Sequence, residues 1–282
     1  MIYDRKEKHL KEQEEYSQKA VSFMYGTFVG RILLRVAVSR WVSKLWGAYQ
    51  SSRLSRRSIR PFVEKCGVQV EEEELSRFKS FNDFFTRKKE VLPQTDDPGA
   101  LLSVADSKMQ YFPITDDLKL KIKNSVYDLA DILEDEKLAA EYQGGTCIVF
   151  RLCVDDYHRY HFLDDGKLIW VKKIKGALHT VRPISEKYRV YSRNSRQVSV
   201  LETVNFGKVV QIEVGAMMVG KICNRQVETF KRMEEKGYFE FGGSTVVMLL
   251  NAPVKFDDDI IEMNAKDAEI QVHAGEKIGY LC

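Results

Sequence analysis

A chain of 282 residues that is 44% apolar and 30% charged has enough non-polar surface to build a sizeable core, which excludes a disordered polypeptide. Its 44 basic residues nearly balance 41 acidic ones, so a net charge of +3 lends nothing to a general nucleic-acid-binding role. Five scattered cysteines (Cys66, Cys147, Cys153, Cys223 and Cys282), with no CxxC pair, fit neither a disulfide framework nor a zinc site and suit a reducing compartment.

The chain opens with charged residues from Asp4 to Glu15, and no apolar run ahead of a small-residue cleavage site marks a secretory signal. Phe28 to Trp46 comes nearest to a membrane span, but Arg31, Arg35, Arg40 and Lys44 interrupt it, and a span needs about 20 mainly apolar residues. From Tyr16 to Val63 there is no Asp or Glu, whereas nine Lys and Arg residues occur there. Arg31, Arg35, Ser39 and Ser43 recur every four residues beside Phe28, Ile32, Val36, Trp41, Val42 and Leu45. Such a basic amphipathic helix can lie on an anionic membrane surface, and it can equally pack on a core with its charges in water. A mitochondrial targeting peptide fits less well, because an acidic-rich stretch precedes the basic one.

Pro61 and the run Glu71 to Glu74 mark a boundary, dividing a helical, basic segment over residues 1–65 from a main body over 66–282. Ser80 to Arg87 reads as a short helix that buries three phenylalanines. Strand-like runs follow at Leu101–Val104, Leu118–Ile122, Thr146–Val154, Leu168–Ile174, Arg189–Tyr191, Val198–Val204, Lys208–Val214 and Val219–Cys223, with a helix expected at Val126–Leu133. There is no regular βαβ alternation and no phosphate-binding glycine fingerprint, so the expected class is α+β, with N-terminal helices followed by a mainly antiparallel β body.

Two stretches carry chemistry. Five histidines occur in all, and His158 and His161 fall within Asp155 to Phe162, where imidazoles could exchange protons near neutral pH. Structural histidines bonded to backbone fit the same residues, and a metal would need further ligands in a spacing that is absent here. Near the C-terminus, Gly242-Gly243-Ser244-Thr245 lies between two strand-like runs within Gly237–Leu250. Paired glycines allow a tight turn that presents Ser244, although an ordinary hairpin would use the same residues.

Together these motifs resemble the phosphatidylserine decarboxylases, which are self-processing pyruvoyl enzymes. The resemblance runs from about Phe81 to Leu281 and rests on several short stretches in order. They are Phe81 to Arg87, Ala105-Asp106, Tyr157-His158-Arg159-Tyr160-His161, Asn194-Ser195-Arg196, Val214 to Ile222, and Gly242 to Thr245. Three departures stand out: Asp106-Ser107 replaces Asp-Gly, His161-Phe162-Leu163 replaces His-x-Pro, and Ser195 replaces a usual Glu.

The resemblance implies that Ser244 attacks the carbonyl of Gly243, with His161 as base oriented by Asp106. The chain is then cut into a large β chain, 1–243, and a small α chain, 244–282, leaving a covalent pyruvoyl group at position 244. That group would form a Schiff base with phosphatidylserine and yield phosphatidylethanolamine, with His158 as proton donor. No metal is implied. Arg87 and Arg159 are candidate headgroup partners, on a par with ordinary surface pairing. The substrate's bilayer gives the basic N-terminal segment a purpose, so a peripheral protein on the cytoplasmic face of a bacterial membrane is expected, with homo-oligomerisation left open. A serine hydrolase using Asp106, His161 and Ser244, or a silent membrane-bound relative, would stay in one piece; Val246 stands where a GxSxG elbow needs glycine.

Overall fold

A computed structural model describes residues 1–12, 18–68, 70–89, 92–93, 95–122, 125–181, 183–217, 221–242 and 244–282. The chain begins with strands β1 (Ile2–Asp4) and β2 (His9–Lys11). A helical run follows: α1 (Gln18–Gly26), α2 (Phe28–Ala37), α3 (Arg40–Gln50), a 3-10 turn over Arg53–Ser58, α4 (Ile59–Cys66), α5 (Glu72–Leu75) and α6 (Phe81–Phe85). The body opens with β3 (Ala100–Leu102), β4 (Ser107–Pro113), β5 (Lys119–Ile122), β6 (Ser125–Asp128), α7 (Leu129–Leu133) and α8 (Glu136–Ala140). Next come β7 (Thr146–Leu152), β8 (Arg159–His161), β9 (Gly166–Ile174), a 3-10 turn over Pro183–Tyr188, α9 (Val190–Arg193), β10 (Arg196–Thr203) and β11 (Lys208–Gly215). The chain ends with β12 (Ile222–Asn224), β13 (Thr229–Phe230), β14 (Glu235–Phe239), β15 (Ser244–Leu250), β16 (Val254–Phe256), α10 (Asp258–Ala265), β17 (Glu269–Val272) and β18 (Lys277–Leu281).

Among the described residues, ten strands form one sheet in the order β13-β9-β10-β11-β15-β7-β4-β17-β1-β2, antiparallel except for the parallel β1–β17 pair. Its middle strands are covered on both faces, so they are apolar almost throughout rather than alternating. Successive side chains of β15 point to opposite faces. Val246, Met248 and Leu250 enter one core, beneath the β12-β14-β8 and β16-β18-β3 sheets, while Val247 and Leu249 enter a second, shared with α7 and α8.

Local chemistry places the helices. Thr27 Oγ1 accepts from Gly30 N at 2.9 Å to start α2, and a Cβ on Gly30 would lie 2.1 Å from Phe23 O, so only glycine permits that turn between α1 and α2. Ser80 Oγ accepts from Asp83 N at 3.1 Å to start α6, which buries Phe81, Phe84 and Phe85 against Phe62 of α4.

The helix-then-sheet order and the mainly antiparallel body agree with the α+β expectation. Three details differ. Residues 1–65 begin with strands, because β1 finds a partner in β17, which is remote in sequence. Arg189–Tyr191 is not a strand: Arg189 has φ 51° and leads into α9, where Tyr191 packs edge-on against Tyr127 at 5.1 Å. The run Val126–Leu133 is half strand, since Asp128 caps α7 by accepting from Ala130 N and stops β6 there.

Candidate active site

Ser244 begins β15 at the middle of the large sheet, opposite Gly215 of β11 and Leu152 of β7. The strand before it, β14, belongs to the small β12-β14-β8 sheet, so the link through Gly242 crosses between two sheets and is not a hairpin. Gly242 has φ 140°, a conformation that side chains rarely permit. The expected cleavage partner Gly243 lies outside the described residues. Ser244 is fully buried, and its Oγ has no hydrogen-bond partner among the described residues. A buried, unpaired hydroxyl is costly as pure structure.

His158 reaches this place along two routes. Six residues before it, Leu152 pairs with Ser244, and its own carbonyl accepts from Phe239 N at 3.0 Å, five residues ahead of Ser244. Its Nδ1–H donates to the carbonyl of Asp156 at 2.9 Å, which leaves Nε2 as an acceptor without a partner. The Asp156 carboxylate is itself held by Lys108 Nζ at 2.7 and 2.9 Å and by Cys153 N at 2.7 Å. Phe85 covers the ring at 4.0 Å, and Phe241 packs on Phe85 at 5.0 Å. Burial drives the His158 pKa down to about 4, against an opposing contribution from Asp156, so the ring is neutral at pH 7.

His161 is buried too, and burial lowers its pKa while Glu235 and Asp106 pull it up. Its Nδ1–H donates to Val104 O at 3.1 Å, leaving Nε2 without a partner among the described residues. Asp106 is close by, since Ala105 bridges Tyr160, yet no hydrogen bond joins Asp106 to His161. Instead Asp106 Oδ2 meets Lys89 Nζ at 2.5 Å and His273 Nδ1 at 3.6 Å, and Oδ1 accepts from Ala274 N at 2.8 Å. Burial by itself would raise the Asp106 pKa, but these partners hold it at about 2. Lys89 also lies 4.8 Å above the Tyr157 ring, whose face parallels His161 at 6.3 Å.

Lys89 and His273 were not singled out by the sequence reading; the scarcity of histidine was the one available signal for His273. Also missed was a buried network behind the two histidines. Lys236 Nζ pairs with Glu213 Oε1 at 2.7 Å, Asn224 Nδ2 donates to Glu213 Oε2 at 2.7 Å, and Tyr160 OH donates to Asn224 Oδ1 at 2.5 Å. Burial pushes Glu213 up and Lys236 down, and each opposes the other's shift. This network ties β11 to β14, β12 and β8, fixing the strand that leads into the Gly242 link. A charged residue in the apolar run Val209 to Val214 was its visible trace.

Cys153, Asp155 and Asp156 gather their ligand atoms within 4.8 Å, but the Lys108 ammonium already occupies the cation position on Asp156. On the outer side of the site, Asn82 of α6 links the helical segment to the turn at Gly242: its Nδ2 donates to Ser51 Oγ at 3.3 Å and its Oδ1 accepts from Phe241 N at 3.1 Å.

A family model described as phosphatidylserine decarboxylase matches residues 81–280. Among similar proteins, the phosphatidylserine decarboxylase proenzyme 2 of Clostridium acetobutylicum is 47% identical over 283 residues, covering 99% of this chain and 97% of that protein. The proenzyme of Ruminiclostridium cellulolyticum is 40% identical over 289 residues, covering 99% and 96%. That of Desulfitobacterium hafniense is 36% identical over 288 residues, covering 98% and 97%.

Proposed function

The chain belongs to the phosphatidylserine decarboxylase family, and from that premise we propose that it cuts itself before Ser244 and uses the resulting pyruvoyl group to convert phosphatidylserine to phosphatidylethanolamine. The observation that carries this reading is the fully buried Ser244 Oγ, left unpaired at the start of a central strand just after the Gly242 backbone turn. Its attack on the preceding carbonyl replaces the amide by an ester; elimination and hydrolysis then leave the pyruvoyl group at position 244. Ser244 fits that conversion because the new group stays where the hydroxyl was, on a strand held from both sides.

Two buried histidines present unpaired Nε2 atoms. We assign His161 to take the Ser244 proton, with Asp106 favouring the charged ring from nearby, and His158 to return a proton to the substrate carbon. The pyruvoyl group supplies an electrophilic ketone that takes up the substrate's primary amine and draws the electron pair released with carbon dioxide. Since burial keeps His158 neutral, its proton is acquired when the negative headgroup enters and raises the ring's affinity for it.

The helical segment favours work at a lipid surface. Phe28, Ile32, Leu33, Val36, Trp41, Leu45 and Leu54 are exposed beside Arg31, Arg35, Lys44, Arg53 and Arg57. No single described helix is long and apolar enough to cross a membrane, and α1 and α2 are bent by 105°. On the strength of that exposed apolar and basic face, we assign peripheral contact with an anionic leaflet, on the cytoplasmic face. Intact mass under denaturing conditions tests the whole reading: two fragments are expected from wild type, the smaller bearing a pyruvoyl end, and one from Ser244→Ala. A whole wild-type chain would overturn it.

A further inference from the structure

Seven described arginines are partly or fully buried: Arg5 pairs with Asp257, Asp259 and Glu276, Arg189 pairs with Asp131, Arg232 donates to the carbonyls of Asp97 and Ala100, and three more are engaged deeper in the body. Arg151 binds Glu269 at 2.5 Å, Arg196 donates to the carbonyls of Ile132, Ser192 and Asp131, and Arg159 pairs with Glu235 at 2.7 Å while donating to Thr86 O at 2.5 and 2.8 Å. Arg87 is the exception. It is half-buried, yet it makes no ion pair among the described residues, and its side chain's one hydrogen bond there is a long contact of 3.3 Å from Nη1 to Phe84 O. Burial disfavours the Arg87 charge, and the Asp106 and Glu74 carboxylates offset this only through space, with no hydrogen bond to the guanidinium, so its fixed fork has the chemistry of an oxyanion receptor.

Its placement is built. The guanidinium rests on the Phe84 ring at 4.8 Å. Arg159 Nε, bonded to Thr86 O, also reaches Arg87 O at 3.3 Å, so one arginine fixes the backbone that carries the other. Phe85, the residue two before Arg87, covers His158, and the next cation along, Lys89, is already taken by Asp106. On its other side α6 meets α3 and the 3-10 turn after it: Phe81 N donates to Ser55 Oγ at 2.9 Å, beside exposed Leu54. A lipid whose chains lie against that apolar face would bring its headgroup along α6 toward Arg87 before it reaches Ser244.

We propose that Arg87 receives a headgroup oxyanion of the substrate, either the phosphodiester or the serine carboxylate, while Arg159 serves as its positioning residue. The assignment rests on the decarboxylase reading above and goes beyond it, because it names the group that selects and aligns the substrate. It also separates two arginines that the sequence treats alike: Arg159 is consumed by protein partners and Arg87 is not.

The test compares wild type, Arg87→Gln and Arg87→Lys by intact mass and by carbon dioxide release from phosphatidylserine in mixed micelles. Both variants are expected to be cut as wild type is. KM of Arg87→Gln should rise about ten- to a hundredfold, the range of a lost charge-assisted pair, with kcat changing far less; Arg87→Lys should fall between, keeping the charge but losing the fork. Glycerophosphoethanolamine, which has the phosphodiester without the carboxylate, and glycerophosphoserine, which has both, serve as competitors. If Arg87→Gln weakens inhibition by both, the phosphate is read; if only glycerophosphoserine weakens, the carboxylate is. A KM within twofold of wild type in Arg87→Gln would overturn the proposal, and so would failure of both variants to be cut, which would mark Arg87 as a folding residue. Wild type that is whole, or releases no carbon dioxide, would instead remove the underlying decarboxylase reading.

Discussion

His158 is held in one tautomer by a backbone carbonyl, shielded by Phe85, and left with a bare Nε2. The sequence placed the pair of histidines and the serine but could not separate their surroundings, because that difference comes from Lys108 and Asp156, which lie 48 positions apart. The folded pKa of about 4 lies below the unfolded value of about 6.5, so the unfolded chain takes up the proton first. The His158 contribution is therefore intact above about pH 6.5 and is lost as pH falls toward 4, by roughly 3 kcal/mol. Denaturant midpoints should drop over that window in wild type and drop less in His158→Gln, with His161 and His179, also lowered by burial, supplying the rest. Equal slopes in the two proteins would count against a buried neutral His158. Asp106, held at about 2, adds a second loss between about pH 4 and 2.

At the level of elements, the sequence showed strands well where they are long and central. Thr146–Val154, Val198–Val204 and Lys208–Val214 fall on β7, β10 and β11, where burial on both faces favours apolar side chains, while Leu168–Ile174 falls on β9, whose side chains alternate between half-buried and exposed. It could not show that β14 and β15 part company at Gly242, since strand partners are chosen by remote segments such as β8 and β7. The Glu213–Lys236 pair enforces that parting from inside the core. Removing one partner leaves the other buried and uncompensated, so Glu213→Ala should cost about 3–5 kcal/mol, whereas Glu213→Leu with Lys236→Met should cost less than either change alone. Chemical denaturation of the uncut Ser244→Ala background measures this without interference from cutting; additive losses would show that the pair is not coupled. The outward face of α2 and α3 carries a separate expectation. Trp41→Ser with Leu45→Ser should reduce sedimentation with phosphatidylserine-containing vesicles severalfold at unchanged melting temperature, because both side chains are more than half exposed and support no core. Equal sedimentation would remove that face from the lipid contact.

Across the whole molecule, residues beyond the proposed cut are woven into those before it. β15 lies between β11 and β7, and β17 between β4 and β1, while Arg5 alone binds Asp257, Asp259 and Glu276 at 2.7 to 2.9 Å. In the continuous polypeptide these strands take their places between partners that belong to the same chain. The proposed cut before Ser244 would thus convert a unimolecular folding problem into a bimolecular one after the answer has been reached. Mature protein unfolded and then diluted should recover its native signal at a rate and yield that depend on protein concentration, whereas Ser244→Ala should refold independently of it. In that scheme the continuous link ahead of Ser244 is a scaffold present only during assembly, and the cut protein, once opened, must find its partner fragment again before it can refold.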